Sequence, residues 1–230
     1  MIEVLSFDLD GTLVDTGSEI CAAVNATLAD FGIEPRPAVE IESLIGAGAH
    51  ELMRRLVART ESLRRLDQAA VFSSFEQHYA AHAGTVAQPY PGCAVALERL
   101  RDAGIRLACV TNKEERHARR VLEATALAPH FALLVGGDTL PFKKPDARVL
   151  QHVLATLGGE PSRAAHVGDS RTDLEAARNA GVAGWAVPWG YNAGEPIAQE
   201  HPTRLFASFA SIVDAVLAQG QSRVRRAVHP

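Results

Sequence analysis

From residue 93 onward the chain alternates helix-length amphipathic segments with very short apolar runs, and one more such run stands alone at the start. The runs are Val4-Leu5-Ser6-Phe7, Leu107-Ala108-Cys109-Val110, Leu133-Leu134-Val135, Ala165-His166-Val167 and Gly184-Trp185-Ala186-Val187. Runs of this length, joined by helices, predict parallel strands with helical crossovers: an α/β fold with a doubly wound parallel sheet.

The first strand is separated from the rest by a block of a different period. Between residue 18 and about residue 83 the apolar positions repeat as in helices. Ile20, Ala23, Val24, Thr27, Leu28 and Phe31 share one face; Leu52, Met53, Leu56 and Val57 mark a second helix; Leu66, Ala69, Phe72, Phe75 and Tyr79 mark a third. The expected organisation is a core made of 1–15 and 88–218, an inserted α-helical cap over 16–87, and a polar, basic tail over 219–230 (Arg223, Arg225, Arg226) that frays. Hinges are expected near Thr16–Ser18 and Gly84–Tyr90.

Composition narrows the partners. Hydrophobic residues make up 47% of the chain, enough for a core. A net charge of −4 gives no electrostatic case for nucleic acid. No apolar run nears the ~18 residues of a membrane span, and no signal peptide is evident. Cys21, Cys93 and Cys109 are odd in number and form no C-x-x-C pair, which reads as reduced thiols in the cytoplasm.

Polar clusters follow each of the first four strands. Asp8 and Asp10 follow the first, Thr111-Asn112 the second; Lys143-Lys144-Pro145 lies beyond the third, and Gly168-Asp169-Ser170-Arg171-Thr172-Asp173 follows the fourth. Open α/β sheets keep their ligands at this edge. Carboxyls with ordinary pKa values of ~3.9 ionise at neutral pH, and two unit charges ~4 Å apart repel by ~4 kcal/mol at an effective dielectric of 20. Oxygen-rich acidic clusters of this kind suit Mg²⁺, which keeps waters and bridges to phosphate.

These motifs resemble those of the haloacid dehalogenase superfamily: D-x-D-G-T-x-V at the start, T-N after the second strand, then K-P, then G-D-x-x-x-D, in that order. Gly136-Gly137-Asp138-Thr139-Leu140-Pro141 and Trp189-Gly190-Tyr191-Asn192 are similar to the phosphoglycolate phosphatase group within it. The resemblance implies a Rossmann-like core under a cap and a Mg²⁺-dependent phosphatase. Asp8 is then the nucleophile and Asp10 the general acid/base, with Thr111, Asn112 and Lys144 on the phosphate. Mg²⁺ would be held by Asp8, the Asp10 main-chain carbonyl and Asp169, with Ser170 and Asp173 behind them. The implied substrate is a small phosphorylated metabolite, 2-phosphoglycolate first, acted on by a monomer or homodimer. A sugar or amino-sugar-acid phosphatase, a pyrophosphatase, a phosphomutase and a phosphate-binding module without turnover are the alternatives. A dehalogenase needs neither metal nor a second aspartate, so Asp10 argues against it.

Plainer readings stand beside these. Thr111-Asn112 also suits a helix N-cap, a role expected alongside phosphate binding. Of Lys143 and Lys144, one is expected to be solvated. Asp15 reads as a turn or cap residue. Arg54 and Arg55 either meet a substrate carboxylate or are ordinary surface arginines. His50, His78 and His82 show no metal-like pairing with other ligands; His78 and His82, spaced i, i+4, either hold zinc on a helix or form an ordinary exposed polar face.

Overall fold

The computed structural model describes residues 1–227, with side chains described through residue 218. Along the chain come β1 (Val4–Phe7), β2 (Val14–Asp15), α1 (Gly17–Asp30), α2 (Ala38–Glu42), α3 (Ala49–Arg59), α4 (Glu61–Arg64), α5 (Gln68–His82) and β3 (Gln88–Pro89). Then α6 (Cys93–Asp102), β4 (Arg106–Val110), α7 (Glu115–Ala124), β5 (Leu133–Val135), α8 (Ala147–Leu157), β6 (Ala164–Gly168), α9 (Arg171–Asn179), β7 (Ala183–Ala186), β8 (Arg204–Leu205) and α10 (Phe209–Ala227) alternate.

The main sheet has the order β5-β4-β1-β6-β7-β8, and every pair in it is parallel. Its central strands β1, β4 and β6 are buried on both faces, so neighbouring side chains enter different cores. Leu5, Phe7, Leu107 and Cys109 join α6, α7 and α10 on one face. Val4, Ala108 and Val110 join α8 and α9 on the other. β1 lies at the centre, where the connections diverge to either side, and its carboxyl end therefore opens at the switch point of the sheet.

The inserted helices bury a core of their own, with Ile20, Val24, Leu28, Leu52, Met53, Leu56, Phe75 and Tyr79 packed together. Both connections to the sheet run side by side, β2 pairing antiparallel with β3 through Val14↔Pro89 and Asp15↔Gln88. Glu19, at 2% exposure, ties them further. Its carboxylate accepts the N–H groups of Gly84 (3.0 Å), Val86 (2.8 Å) and Ala87 (2.9 Å).

Three features differ from expectation. The β2–β3 pair falls where hinges are expected; each strand has two residues, too few for a periodic signal. β8 adds a sixth strand to the main sheet, again only two residues long. The stretch from Gln219 continues helix α10 to Ala227, since glutamine, arginine and alanine extend a helix once it has nucleated. Residues 228–230 lie outside the described residues. Among the described residues no helix is long and apolar enough to cross a membrane.

Candidate active site

The parallel register brings three of the polar clusters level, and the loop after β5 carries Lys144 to the same edge. Phe7 pairs with Cys109 on one side and Val167 on the other. The next residue on each strand path is therefore at the same carboxyl edge: Asp8, with Thr111 and Asp169 one step beyond Val110 and Gly168. Asp8 is buried, and its main-chain N–H donates to the Val167 carbonyl at 2.9 Å.

A buried polar chain runs from inside the sheet to Asp8. Ser6 Oγ meets His166 Nδ1 at 2.9 Å, and His166 Nε2 lies 3.2 Å from Asp173 Oδ1. A carboxylate only accepts, so Nε2 carries the proton and Nδ1 accepts from Ser6. Burial pulls the His166 pKa down, favouring the neutral ring. Asp173 also accepts from the Ser170 main-chain N–H (3.1 Å) and Ser170 Oγ (2.6 Å), closing a capping box at the start of α9. Its remaining bond comes from Lys144 Nζ at 2.6 Å. Lys144 donates to the Val110 carbonyl as well (2.7 Å) and stands 2.9 Å from Asp8 Oδ1. Asp173 thus both caps the start of α9 and bonds Lys144.

Asp169 is held from two sides. Thr12 Oγ1 donates to Oδ1 at 2.8 Å and the Tyr191 main-chain N–H to Oδ2 at 2.7 Å. Gly190 lets the Tyr191 loop come this close: a Cβ there would sit 2.1 Å from Asp169 Oδ2. Gly190→Ala is expected to swing this carboxylate away and to weaken divalent-cation affinity about 10- to 100-fold, read by titrating Mg²⁺ against thermal stability.

Asp10 faces a cation that sequence reading missed. Lys113 Nζ lies 2.8 Å from Asp10 Oδ1, and Thr16 Oγ1 donates to the same oxygen at 2.7 Å. Lys113 is 2% exposed. Its only sequence signal was its place directly after Thr111-Asn112, and a lysine there reads as surface until the fold buries it. Thr111 and Asn112 do not cap α7, whose N-cap is Glu114. Thr111 Oγ1 instead accepts the Lys113 N–H within the turn (3.2 Å). Asn112 Nδ2 bridges the Gly46 and Lys144 carbonyls at 3.2 and 3.0 Å. Asp15 accepts from the Gly17 N–H and from the Tyr191 hydroxyl, a turn residue as read.

The electrostatics of the cluster favour a cation. Asp8, Asp10, Asp169 and Asp173 face two ammonium groups, Lys113 and Lys144. Burial pushes the Asp8 carboxyl up to about 8 against the pull of Lys144, and burial with Asp173 pushes Asp169 up to about 7. Burial acts in the same sense on Asp173, yet Lys144 and His166 hold it below the carboxylate range. Burial opposes the charge on Lys144, and Asp173 and Asp8 outweigh it and keep the ammonium protonated. Asp8 Oδ1 is buried without a hydrogen-bond donor despite its nearness to Lys144. Asp8, Asp169 and Asp173 each offer an oxygen within 4.8 Å of the others. An all-oxygen donor set with excess negative charge and an orphaned oxygen fits a hard divalent ion such as Mg²⁺. The Asp10 carboxylate is taken up by Lys113 and Thr16, which leaves its main-chain carbonyl for such an ion.

The helical insert covers this edge. Ile20, Ile45, Leu52 and Tyr79 roof a cavity of about 20 Å³ above Asp8, Asp10 and Thr111, room for about one water. Lys143 Nζ donates to the Ala47 carbonyl at 3.1 Å, and Arg116 pairs with Glu76 across the cleft. Gly48 permits the approach, since a Cβ there would lie 2.8 Å from the Asn112 carbonyl. Arg54 and Arg55 are exposed and bound to Glu51 (2.7 and 2.8 Å), away from the cavity. His78 pairs with Asp30. His50, unpaired along the sequence, meets Glu76 at 2.6 Å and Glu114 at 3.8 Å through the fold.

A family model described as haloacid dehalogenase-like hydrolase matches residues 5–187. The chain is 41% identical over 204 residues to phosphoglycolate phosphatase 1 of Pseudomonas aeruginosa, covering 87% of this chain and 74% of that one. It is 39% identical over 214 residues to phosphoglycolate phosphatase of Agrobacterium fabrum, covering 91% and 90%. Among solved structures it is similar to a "predicted phosphoglycolate phosphatase" from Haemophilus somnus, with a TM-score of 0.87, 30% identity and coverage of 93% and 97%. CbbY from Rhodobacter sphaeroides, solved with phosphate, matches with a TM-score of 0.77, 28% identity and coverage of 91% and 96%. On the extent of the family match and the identity to these relatives, the chain belongs to the haloacid dehalogenase-like hydrolases.

Proposed function

We propose that this hydrolase is a Mg²⁺-dependent phosphatase of a small phosphate monoester, 2-phosphoglycolate first, working through an aspartyl-phosphate on Asp8. The observation that carries the reading is the set of four carboxylates, three buried and Asp10 partly so, against two ammonium groups at the carboxyl end of the central strand. Relatives named phosphoglycolate phosphatase support the choice of substrate. Three free, buried thiols support a reducing compartment, the cytoplasm.

Phosphate monoesters hydrolyse so slowly that acceleration approaches ~10²¹-fold in extreme cases. A carboxylate nucleophile divides the reaction into two lower barriers. Asp8 attacks phosphorus, and the ester P–O bond breaks as Asp10 gives its proton to the departing alkoxide. Asp10 then takes a proton from water as that water attacks the acyl-phosphate, freeing inorganic phosphate and Asp8. Lys113 and Thr16 fix the Asp10 carboxyl for both transfers. Lys144, held by Asp173, sets its positive charge beside the attacking carboxylate, where equatorial phosphate oxygens gather. Thr111 and the Asn112 main chain complete the phosphate cradle. Asp8, Asp169 and the Asp10 carbonyl would hold Mg²⁺, which when bound supplies a positive charge that lets a dianion approach carboxylates. The cavity beneath the cap has room for about one water, so the cap must open to admit the ester and shut for the chemistry.

Phosphate release from 2-phosphoglycolate and a panel of other small phosphoesters, ranked by kcat/KM, tests this reading. Turnover is expected only with Mg²⁺, and chelation is expected to stop it until the ion is restored. Hydrolysis that persists in chelator, or no release from any ester by folded protein with Mg²⁺, would overturn it.

A further inference from the structure

We infer that Lys113 recognises a carboxylate on the leaving group, so that the site selects phosphorylated hydroxy acids over neutral phosphoesters of the same size. The inference deepens the phosphatase reading and rests on it. Among the described residues lining the cavity over Asp8, Lys113 is the one cation. The other candidates are engaged elsewhere: Lys144 beneath Asp8, Lys143 on the Ala47 carbonyl, Arg54 and Arg55 on Glu51.

An ammonium has three N–H donors; Asp10 takes one and the Tyr79 hydroxyl a second, which leaves one for a ligand. The Tyr79 ring lies 5.0 Å from Nζ, and the remaining roof from Ile20, Ile45 and Leu52 is apolar. A leaving-group charge in this water-poor space has no other cation to meet, and charges interact far more strongly here than in solvent. Position matters as much as sign. Asp10 must stand beside the ester oxygen to protonate it, and Lys113 stands 2.8 Å from Asp10. A carboxylate one carbon beyond that oxygen is within reach of the same ammonium. Longer or bulkier alcohols would carry their charge past it.

The test compares kcat/KM for 2-phosphoglycolate and 2-hydroxyethyl phosphate, which replaces the carboxylate by a neutral CH₂OH. The unaltered protein is expected to prefer the acid at least about tenfold, the strength of one charged hydrogen bond. In Lys113→Met kcat is expected to fall on both esters through the loss of Asp10's partner, and the acid alone is expected to gain a raised KM as well, so that the ratio falls toward one, while Lys113→Arg retains much of it. Equal losses on both esters, with the preference intact, would overturn the inference and leave Lys113 as a positioning residue for Asp10. Equal turnover of the two esters by the unaltered protein would also overturn it, with the phosphatase reading standing. Hydrolysis of neither ester overturns the inference and 2-phosphoglycolate as the substrate, and the phosphatase reading falls with them only if every other ester of the panel is also left intact. Should Lys113→Met fail to fold, product inhibition of the unaltered protein decides: inhibition by glycolate but not ethylene glycol supports the inference, and equal indifference to both overturns it.

Discussion

Asp8→Asn is expected to lower kcat by at least ~10⁴-fold, because an amide cannot take up the phosphoryl group and the remaining residues act as a unit with the missing nucleophile. The fold should survive. Asparagine matches aspartate in size and mimics its neutral form, and burial already pushes the Asp8 carboxyl up to about 8 without a bound cation. Melting temperature without Mg²⁺ is therefore expected to hold or rise, while the stabilisation that Mg²⁺ gives the unaltered protein shrinks. Phosphate release and thermal melts with and without Mg²⁺ separate the two effects. Activity within tenfold of the unaltered protein would mean that another group makes the first bond to phosphorus.

Asp173→Ala is the change expected to cost the most stability, about 3–5 kcal/mol. Asp173 is fully buried and accepts from Lys144, His166 and both donors of Ser170. Removing it leaves the ammonium of Lys144, itself only 3% exposed, with only Asp8 and the Val110 carbonyl, and uncaps α9. At roughly 2–4 °C per kcal/mol for a chain of this size, melting is expected roughly 6–20 °C lower. Activity should fall as well, since Lys144 loses the partner that aims it at Asp8. Asp173→Asn keeps the volume but turns a donor toward an ammonium, so it should recover little. A loss below about 1 kcal/mol for Asp173→Ala would show that water replaces the carboxylate and that the polar chain from Ser6 contributes little.

Much of this arrangement was legible in the sequence because parallel strands convert order along the chain into position at one edge. Asp8, Thr111 and Asp169 each follow a strand directly, and the register makes them neighbours, while Lys144 reaches them from the long loop after β5. The insert was legible because its period is 3.6, not 2, and its apolar faces close on one another. What escaped has no periodicity to reveal it. β2, β3 and β8 are two residues each, held by pairing across many intervening residues. Lys113 reads as an ordinary surface cation until the roof over Asp10 buries it. The meeting of His50 with Glu76 and Glu114 joins α3 and α5 to the loop before α7, which no local spacing encodes. Thr111-Asn112 carries a cap signature, yet its hydroxyl and amide serve a turn and a cross-cleft tie instead.

The Val14↔Pro89 pairing and the Glu19 clamp mean that the chain departs for the helical insert and returns from it at adjacent points. To the sheet, more than seventy intervening residues are topologically one long hairpin loop. A graft cut after Thr16, which holds Asp10, and before Gln88 would exchange one lid for another without disturbing a single strand of the catalytic sheet.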